Sequence, residues 1–342
     1  MKCTDSSLNR EYILDKSKVI LKSYNKLYNE SFENNITDFK KDIKKMYDED
    51  IQDEFNEIYS NNFLNIVYET RDRMYNIWKN VTLSDLGNKS VVEFFNDIND
   101  LDLLIEIFQV SAIECDHDIP DVLLQKLYSF GEQAIEKIIA SMLNEGFLPY
   151  DIREHDAPHS DVPECETCED SFLIPLLAIR ILGEWKVEKA VQPIIDFLTK
   201  FPDTSRQHVE DIKFEQVDLF GETARDALIS VGKASILPLL KVLTNATEYS
   251  EIHEYLAIAL SEIGKDYKSD EIYLCLKKMF MNHHNKMVTS ECLKKYGDGR
   301  AIPALRGYLE RNINNIDNDT LYTFKLAIEK LGGNIDDILK KY

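Results

Sequence analysis

Apolar residues recur three and four positions apart along most of this chain, which is the spacing of one face of an α-helix. Ile36, Phe39, Ile43, Met46 and Tyr47 follow it, as do Phe55, Ile58, Tyr59, Phe63, Ile66 and Val67. Residues 11–80 are therefore predicted to form two or three long amphipathic helices. In NKSVVEFFNDI (88–98), Ser90 and Glu93 have the spacing of a capping box, which predicts a helix start. NDLDLLIEIFQVSAIE (99–114) is predicted to follow as its partner helix, and TLSDLGN (82–88) reads as a break.

From residue 127 onward a short phrase returns: LYSFG (127–131), LGEWK (182–186), LISVG (228–232), LSEIG (260–264), LKKYG (293–297) and IEKLG (328–332). Five of the six end in glycine, and Lys186 is the exception. Ala227, Ala259, Cys292 and Ala327 put a small residue just before four of them. After the phrases come further amphipathic runs such as AIEKIIASML, AVQPIIDFL, SILPLLKVL and AIPALRGYL. The pattern predicts helix, tight turn, helix: glycine takes positive φ without steric cost at the end of the first helix. The small residue permits close approach of stacked helices, and Pro238 and Pro303 suit the first turn of the second helix. A hairpin of this kind leaves an apolar face that only a neighbouring hairpin can cover, which is the logic of a solenoid. The last residues of the phrases are 55, 46, 32, 33 and 35 positions apart, so a unit near 33 residues carries insertions near 144–172 and 200–218.

GDGRAIPALRGYL (297–309) closely resembles the turn and second helix of the short HEAT-like repeats first described in phycobilisome-lyase proteins. ARDALISVGKASILPLLKVL (224–243) and LAIRILGEWKVEKAVQPIIDFL (177–198) look like diverged copies. The resemblance covers about 120–342 and implies an all-α fold, an α-solenoid of HEAT-like hairpins. It does not imply an activity, since such repeats occur in enzymes and scaffolds alike. The predicted organisation is an N-terminal helical segment, 1–81, and a HEAT-like solenoid, 82–342. The first is either a cap on the array or a separate bundle. The Trp-Leu-Gly-Tyr pattern of tetratricopeptide repeats and the Thr-Pro-Leu-His pattern of ankyrin repeats are missing.

Composition supports a helical, folded chain. Of 342 residues 44% are hydrophobic and 30% charged, while glycine (12) and proline (9) are scarce. The formal net charge is −21, and residues 1–81 hold only 13 basic against 15 acidic residues, so the other 261 carry −19. Phosphate binding needs lysine and arginine, so neither nucleic acid nor an anionic membrane suits this chain, and a basic protein or peptide does. Some alkylation-repair glycosylases are similar in repeat type, but they offer DNA a basic concave face. MKCTDSSLNREYILDKSKVI lacks the apolar core of a signal peptide, so the six cysteines are expected to be reduced thiols and the protein cytoplasmic.

Candidate chemistry concentrates in HDAPHSDVPECETCED (155–170), inside the first insertion. His155, His159, Cys165 and Cys168 would make a complete structural zinc set, and nine acidic residues against one arginine across 145–172 would attract a cation. The competing readings are a solvated acidic loop and a redox pair. Glu164, Glu166 and Glu169 oppose the last by disfavouring the thiolate. In YSEIHEYLAIALSEIG (249–264), His253-Glu254 resembles the His-Glu opening of a helix in deoxyhypusine hydroxylase, a HEAT-repeat enzyme that binds two irons. The equivalent positions elsewhere are Glu222-Thr223 and Val288-Thr289, so one pair cannot build a di-iron site and His253 reads as a residue near a helix start. Cys115-Asp116-His117-Asp118 and His283-His284 read as loop or surface residues, and Cys275 and Cys292 as core. In KFPDTSRQHVEDIKFEQVDL (200–219), Thr204, Ser205, Arg206 and His208 either contact a ligand or belong to a solvated connection. No P-loop, dinucleotide-binding glycine pattern, His-Glu-x-x-His, EF-hand loop or Gly-x-Ser-x-Gly is present. The sequence thus points to a non-enzymatic protein-interaction scaffold with an acidic concave surface and no cofactor. The alternative is a metal-binding protein or metal-dependent enzyme centred on 155–168, with zinc as the cofactor.

Overall fold

The computed structural model describes residues 10–26, 69, 71–115, 119–143, 172–201 and 211–340, and these are predominantly helical with packed neighbouring helices. The chain divides into two compact units, one of residues 1–138 with 166–174 and the other of 139–165 with 175–342.

In the first unit, residues 10–26 form α1 and residues 71–80 form α2. Ile20, Leu21 and Tyr24 of α1 are buried. The ring of Tyr24 meets Trp78 at 5.2 Å and Tyr75 at 5.9 Å, and Trp78 Nε1 donates to Ser23 Oγ (2.9 Å). Between 82 and 90 the expected break is a small antiparallel ribbon, β1 (Thr82–Leu83) against β2 (Lys89–Ser90). It is the exception to an all-α fold among the described residues. Gly87 (φ 68°) and Asn88 (φ 61°) make its turn, and the left-handed conformation at two successive positions favours a ribbon over a continuous helix. The capping box predicted at Ser90 is present: Glu93 N donates to Ser90 Oγ (3.2 Å) and Ser90 N to Glu93 Oε2 (2.8 Å). It opens α3 (Val91–Asn96), followed by α4 (Leu101–Glu114) and α5 (Asp121–Tyr128). Both α3 and α4 pack on α5. Arg10 of α1 reaches Asp100 at the start of α4 (3.0 Å) and Glu106 within it (2.8 Å). Cys115, expected at a loop or the surface, is core, with its Sγ 3.6 Å from the Leu21 carbonyl. Residues 116–118 lie outside the described residues.

The remaining helices are α6 (Glu132–Met142), α7 (Leu173–Glu184), α8 (Val191–Leu198), α9 (Asp211–Val231), α10 (Ile236–Asn245), α11 (Glu251–Gly264), α12 (Asp270–Asn282), α13 (Lys286–Tyr296), α14 (Ile302–Asn312), α15 (Asn318–Lys330) and α16 (Asp336–Leu339). In the second unit α9 packs on α11, α11 on α13 and α13 on α15, so helices of the same rank in successive hairpins form one row. A second row runs α8, α10, α12, and each of α8, α10, α12 and α14 also packs on the first-row helix that follows it.

Four of the five phrase-ending glycines act as predicted, and the Lys186 exception takes the same backbone. Gly131, Gly232, Gly297 and Gly332 have positive φ, and so does Lys186 (φ 53°), the one non-glycine among them. Gly264 is different: it is the last residue of α11, and a Cβ there would lie 3.1 Å from both Ile272 and the Tyr296 ring. Its small size serves packing, and the turn falls later, at 265–269. The small positions are buried as expected, with Ala227, Ala259, Cys292 and Ala327 all in the core. Gly183 faces one of them so closely that a Cβ would stand 2.5 Å from Ala227 Cα.

The GDGR turn explains its own composition. Asp298 caps the short turn by accepting from Arg300 N (2.9 Å), and the Arg300 guanidinium grips Asp298 (2.7 Å) and Asp270 of α12 (2.8 Å). Arg300 also lies over the Tyr273 ring (4.3 Å), whose hydroxyl donates to the Arg300 carbonyl (2.8 Å). One turn is thereby fastened to the preceding hairpin. The run Val217–Asn245, of mean hydropathy 1.5, is long and apolar enough to cross a membrane, but Gly232 (φ 78°) breaks it into α9 and α10.

Gly183→Ala pushes a methyl group into a helix backbone and should cost about 1–3 kcal/mol in urea unfolding. Lys186→Gly, which relieves a left-handed side-chain residue, should instead raise stability by about 0.5–1 kcal/mol. The bonds from Arg300 hold the Asp298 carboxyl below its usual 3.8. Its contribution is therefore complete above that value and lost as pH falls through the lower folded value. Asp298→Asn should lower the neutral-pH midpoint and flatten the decline of stability below about pH 4.

Candidate functional site

The zinc set predicted at His155, His159, Cys165 and Cys168 lies outside the described residues, as do Thr204, Ser205, Arg206 and His208. The described residues place a different set of donors together, at one end of the hairpins formed by α11, α12 and α13.

The His253-Glu254 pair at the start of α11 is divided by its environment. His253 is a capping residue: Ser250 N donates to its Nδ1 (3.1 Å), and Ser250 Oγ sits 2.9 Å from the same atom. That agrees with reading His253 as a residue near a helix start. Glu254, one position on, points elsewhere. Its Oε1 lies 2.8 Å from Nε2 of His283, and its Oε2 accepts from Asn285 Nδ2 (3.0 Å).

His283 ends α12 in an extended conformation (φ −75°, ψ 145°), and Asn285 caps α13, its Oδ1 accepting from Val288 N (3.3 Å). His283 and His284 therefore sit in a three-residue joint between helices, 283–285, where their rings meet edge to face at 4.4 Å. The loop position agrees with the sequence expectation for both histidines, and His284 is exposed. The correction is His283, which is buried at 2% exposure. Neighbouring groups hold the joint in place. Tyr249 lies against His283 (5.9 Å) and His253 (5.7 Å), and Lys286 Nζ donates to the Phe280 carbonyl at the end of α12 (2.6 Å).

Glu254, His283 and His284 each offer a donor atom, and these atoms lie within 4.8 Å of one another. Although Nε2 of His283 is close to Glu254, the approach falls outside hydrogen-bond geometry, and both of its buried ring nitrogens lack a hydrogen-bond partner. A polar atom in that condition costs about 1–3 kcal/mol unless something satisfies it. The set offers two imidazoles and one carboxylate whose second oxygen is held by an amide, as ligating carboxylates usually are.

The sequence alone missed this set because its members lie at opposite ends of one hairpin, at the start of α11 and just past the end of α12. Glu254 and His284 are 30 positions apart, close to the 33-residue unit, so a search for donors one repeat apart would have found them. Cys292 and Cys275 are core, as expected. Burial pushes the Cys292 thiol up to about 12, and it raises that of Cys275 too, so neither offers a thiolate at neutral pH.

The ends of α11, α13 and α15 border an open groove of about 730 Å³ lined by Lys265, Lys294, Lys295 and Lys330 with Glu262 and Glu329. Its charges are largely paired off. Glu262 bonds Lys265 and Lys295, and those bonds hold its carboxyl below the usual range. Lys294 pairs with Glu291 on its own helix.

No protein family, no curated protein and no solved structure is matched by this chain.

Proposed function

We propose that this chain is a protein-interaction scaffold, an α-solenoid of HEAT-like hairpins that binds a basic segment of another protein. The observation that carries the reading is the row α9, α11, α13, α15, in which equivalent helices pack on one another in sequence order. Hairpins stacked in this way expose a broad face rather than enclosing a small-molecule cleft.

The choice of partner rests on charge. Residues 82–210 hold 26 acidic and nine basic residues, whereas 211–342 hold 20 and 18. The acidity therefore belongs to the earlier hairpins and the insertion among them, and the field available to a cation-rich peptide is strongest there. The later hairpins are nearly neutral and offer exposed apolar side chains on the second row, Leu237 (77% exposed) and Leu274 (59%). Charge alone chooses the partner, a basic peptide.

The test is equilibrium binding of the full chain to a panel of synthetic peptides of matched length, basic, neutral and acidic. Basic peptides should bind, with affinity falling as salt rises. Asp97→Lys and Asp121→Lys combined should weaken them by about fivefold, since each reverses an exposed charge. Equal binding of all three peptide classes, or of none, would contradict the proposal.

A further inference from the structure

We infer that Glu254, His283 and His284 form a binding site for one divalent transition-metal ion of the zinc class, on donors other than His155, His159, Cys165 and Cys168. The inference is independent of the peptide-binding reading and stands or falls on these three side chains.

Three observations carry it. First, donor atoms of two imidazoles and one carboxylate converge within 4.8 Å, from the first turn of α11 and the joint between α12 and α13. Zinc bonds nitrogen and oxygen at about 2.0–2.1 Å, which sets tetrahedral neighbours about 3.3 Å apart. The observed separations, from 2.8 Å to at most 4.8 Å, bracket that value. Second, His283 is buried and both its ring nitrogens lack a hydrogen-bond partner. A neutral imidazole beside a carboxylate would ordinarily turn a ring N–H onto it, and here the 2.8 Å approach makes no hydrogen bond. An ion bound by both would satisfy them once the pair opens from 2.8 Å toward the separation of about 3.3 Å. Third, Asn285 holds the second oxygen of Glu254 (3.0 Å) and so fixes the carboxylate while leaving Oε1 toward His283.

The donor set selects the ion. Two imidazoles favour zinc, cobalt, nickel or copper over magnesium and calcium, which take oxygen ligands. Three protein ligands leave a fourth position, and exposed His284 places it at the surface, open to water or to a donor from a bound partner. Within the chain the ion ties the start of α11 to the joint that launches α13, and so clips one hairpin to the next.

The experiment uses metal-stripped full-length protein titrated with Zn²⁺ against a chromophoric chelator, and with Co²⁺ followed by its visible absorption. The wild type should bind, and Co²⁺ should give the intense bands of a low-coordinate site. His284→Ala removes an exposed side chain, and Glu254→Gln keeps an acceptor for Asn285, so both should retain the wild-type circular dichroism. Each should weaken Zn²⁺ binding by about tenfold or more and abolish the Co²⁺ bands. The pair Cys165→Ser with Cys168→Ser should leave those bands unchanged. Wild-type affinity in both His284→Ala and Glu254→Gln would overturn the assignment. So would loss of all binding in the cysteine pair, or no binding by the wild type.

Discussion

The close approach of consecutive first-row helices is the constraint on which the second unit depends. It requires a small residue near the end of each helix, and Ala227, Ala259, Cys292 and Ala327 supply one. At Gly183 the fit is tight enough that even a methyl group would meet the Ala227 backbone at 2.5 Å. Where a larger group does enter, another glycine yields to it. The Tyr255 ring occupies the space that a Cβ on Gly221 would need, and its hydroxyl donates to Asp218 (2.6 Å). Burial and that bond both hold the Tyr255 phenol protonated well above its usual range. Backbones brought this near leave little freedom in rotation or register, so each hairpin fixes the position of the next.

This explains how donors 30 residues apart come together. Once α11 and α13 pack as neighbours, the first turn of one lies beside the joint that opens the other. Glu254 then meets His283 through repeat geometry, with no long loop needed to bring them together. The same regularity serves the GDGR turn, where Arg300 reaches back to Asp270 and Tyr273 of the preceding helix. Both features are side-chain bridges between elements already held by the row.

Much of the fold was legible because it repeats. The phrase ends predicted the turns, and Lys186, the one departure from glycine, proves to take the same left-handed backbone as the glycines it replaces. Gly264 shows the limit of the reading: the same letter in the same phrase serves packing there, because Tyr296 and Ile272 press on it. The ribbon at 82–90 rests on two successive left-handed residues, Gly87 and Asn88, which hydrophobic periodicity does not register. The donor cluster was hidden for another reason. His283-His284 read as loop or surface residues, and the burial of His283 against Glu254 and Tyr249, 29 and 34 positions earlier, is carried by no local pattern. Burial of Cys115 depended on α1, 94 residues away, and no local pattern carries that.

The central claim is that the first row is the cooperative spine and the second row rests on it. Native-state amide hydrogen exchange tests it most directly, since exchange ranks elements by the free energy of opening them. Amides in the middle of α11 and α13, each packed on first-row helices at both sides, should exchange slowest and respond to denaturant together. Those of α10 and α12, which carry exposed Leu237 and Leu274, should exchange at lower cost. Equal protection of the two rows, or slower exchange in α10 and α12, would contradict the account.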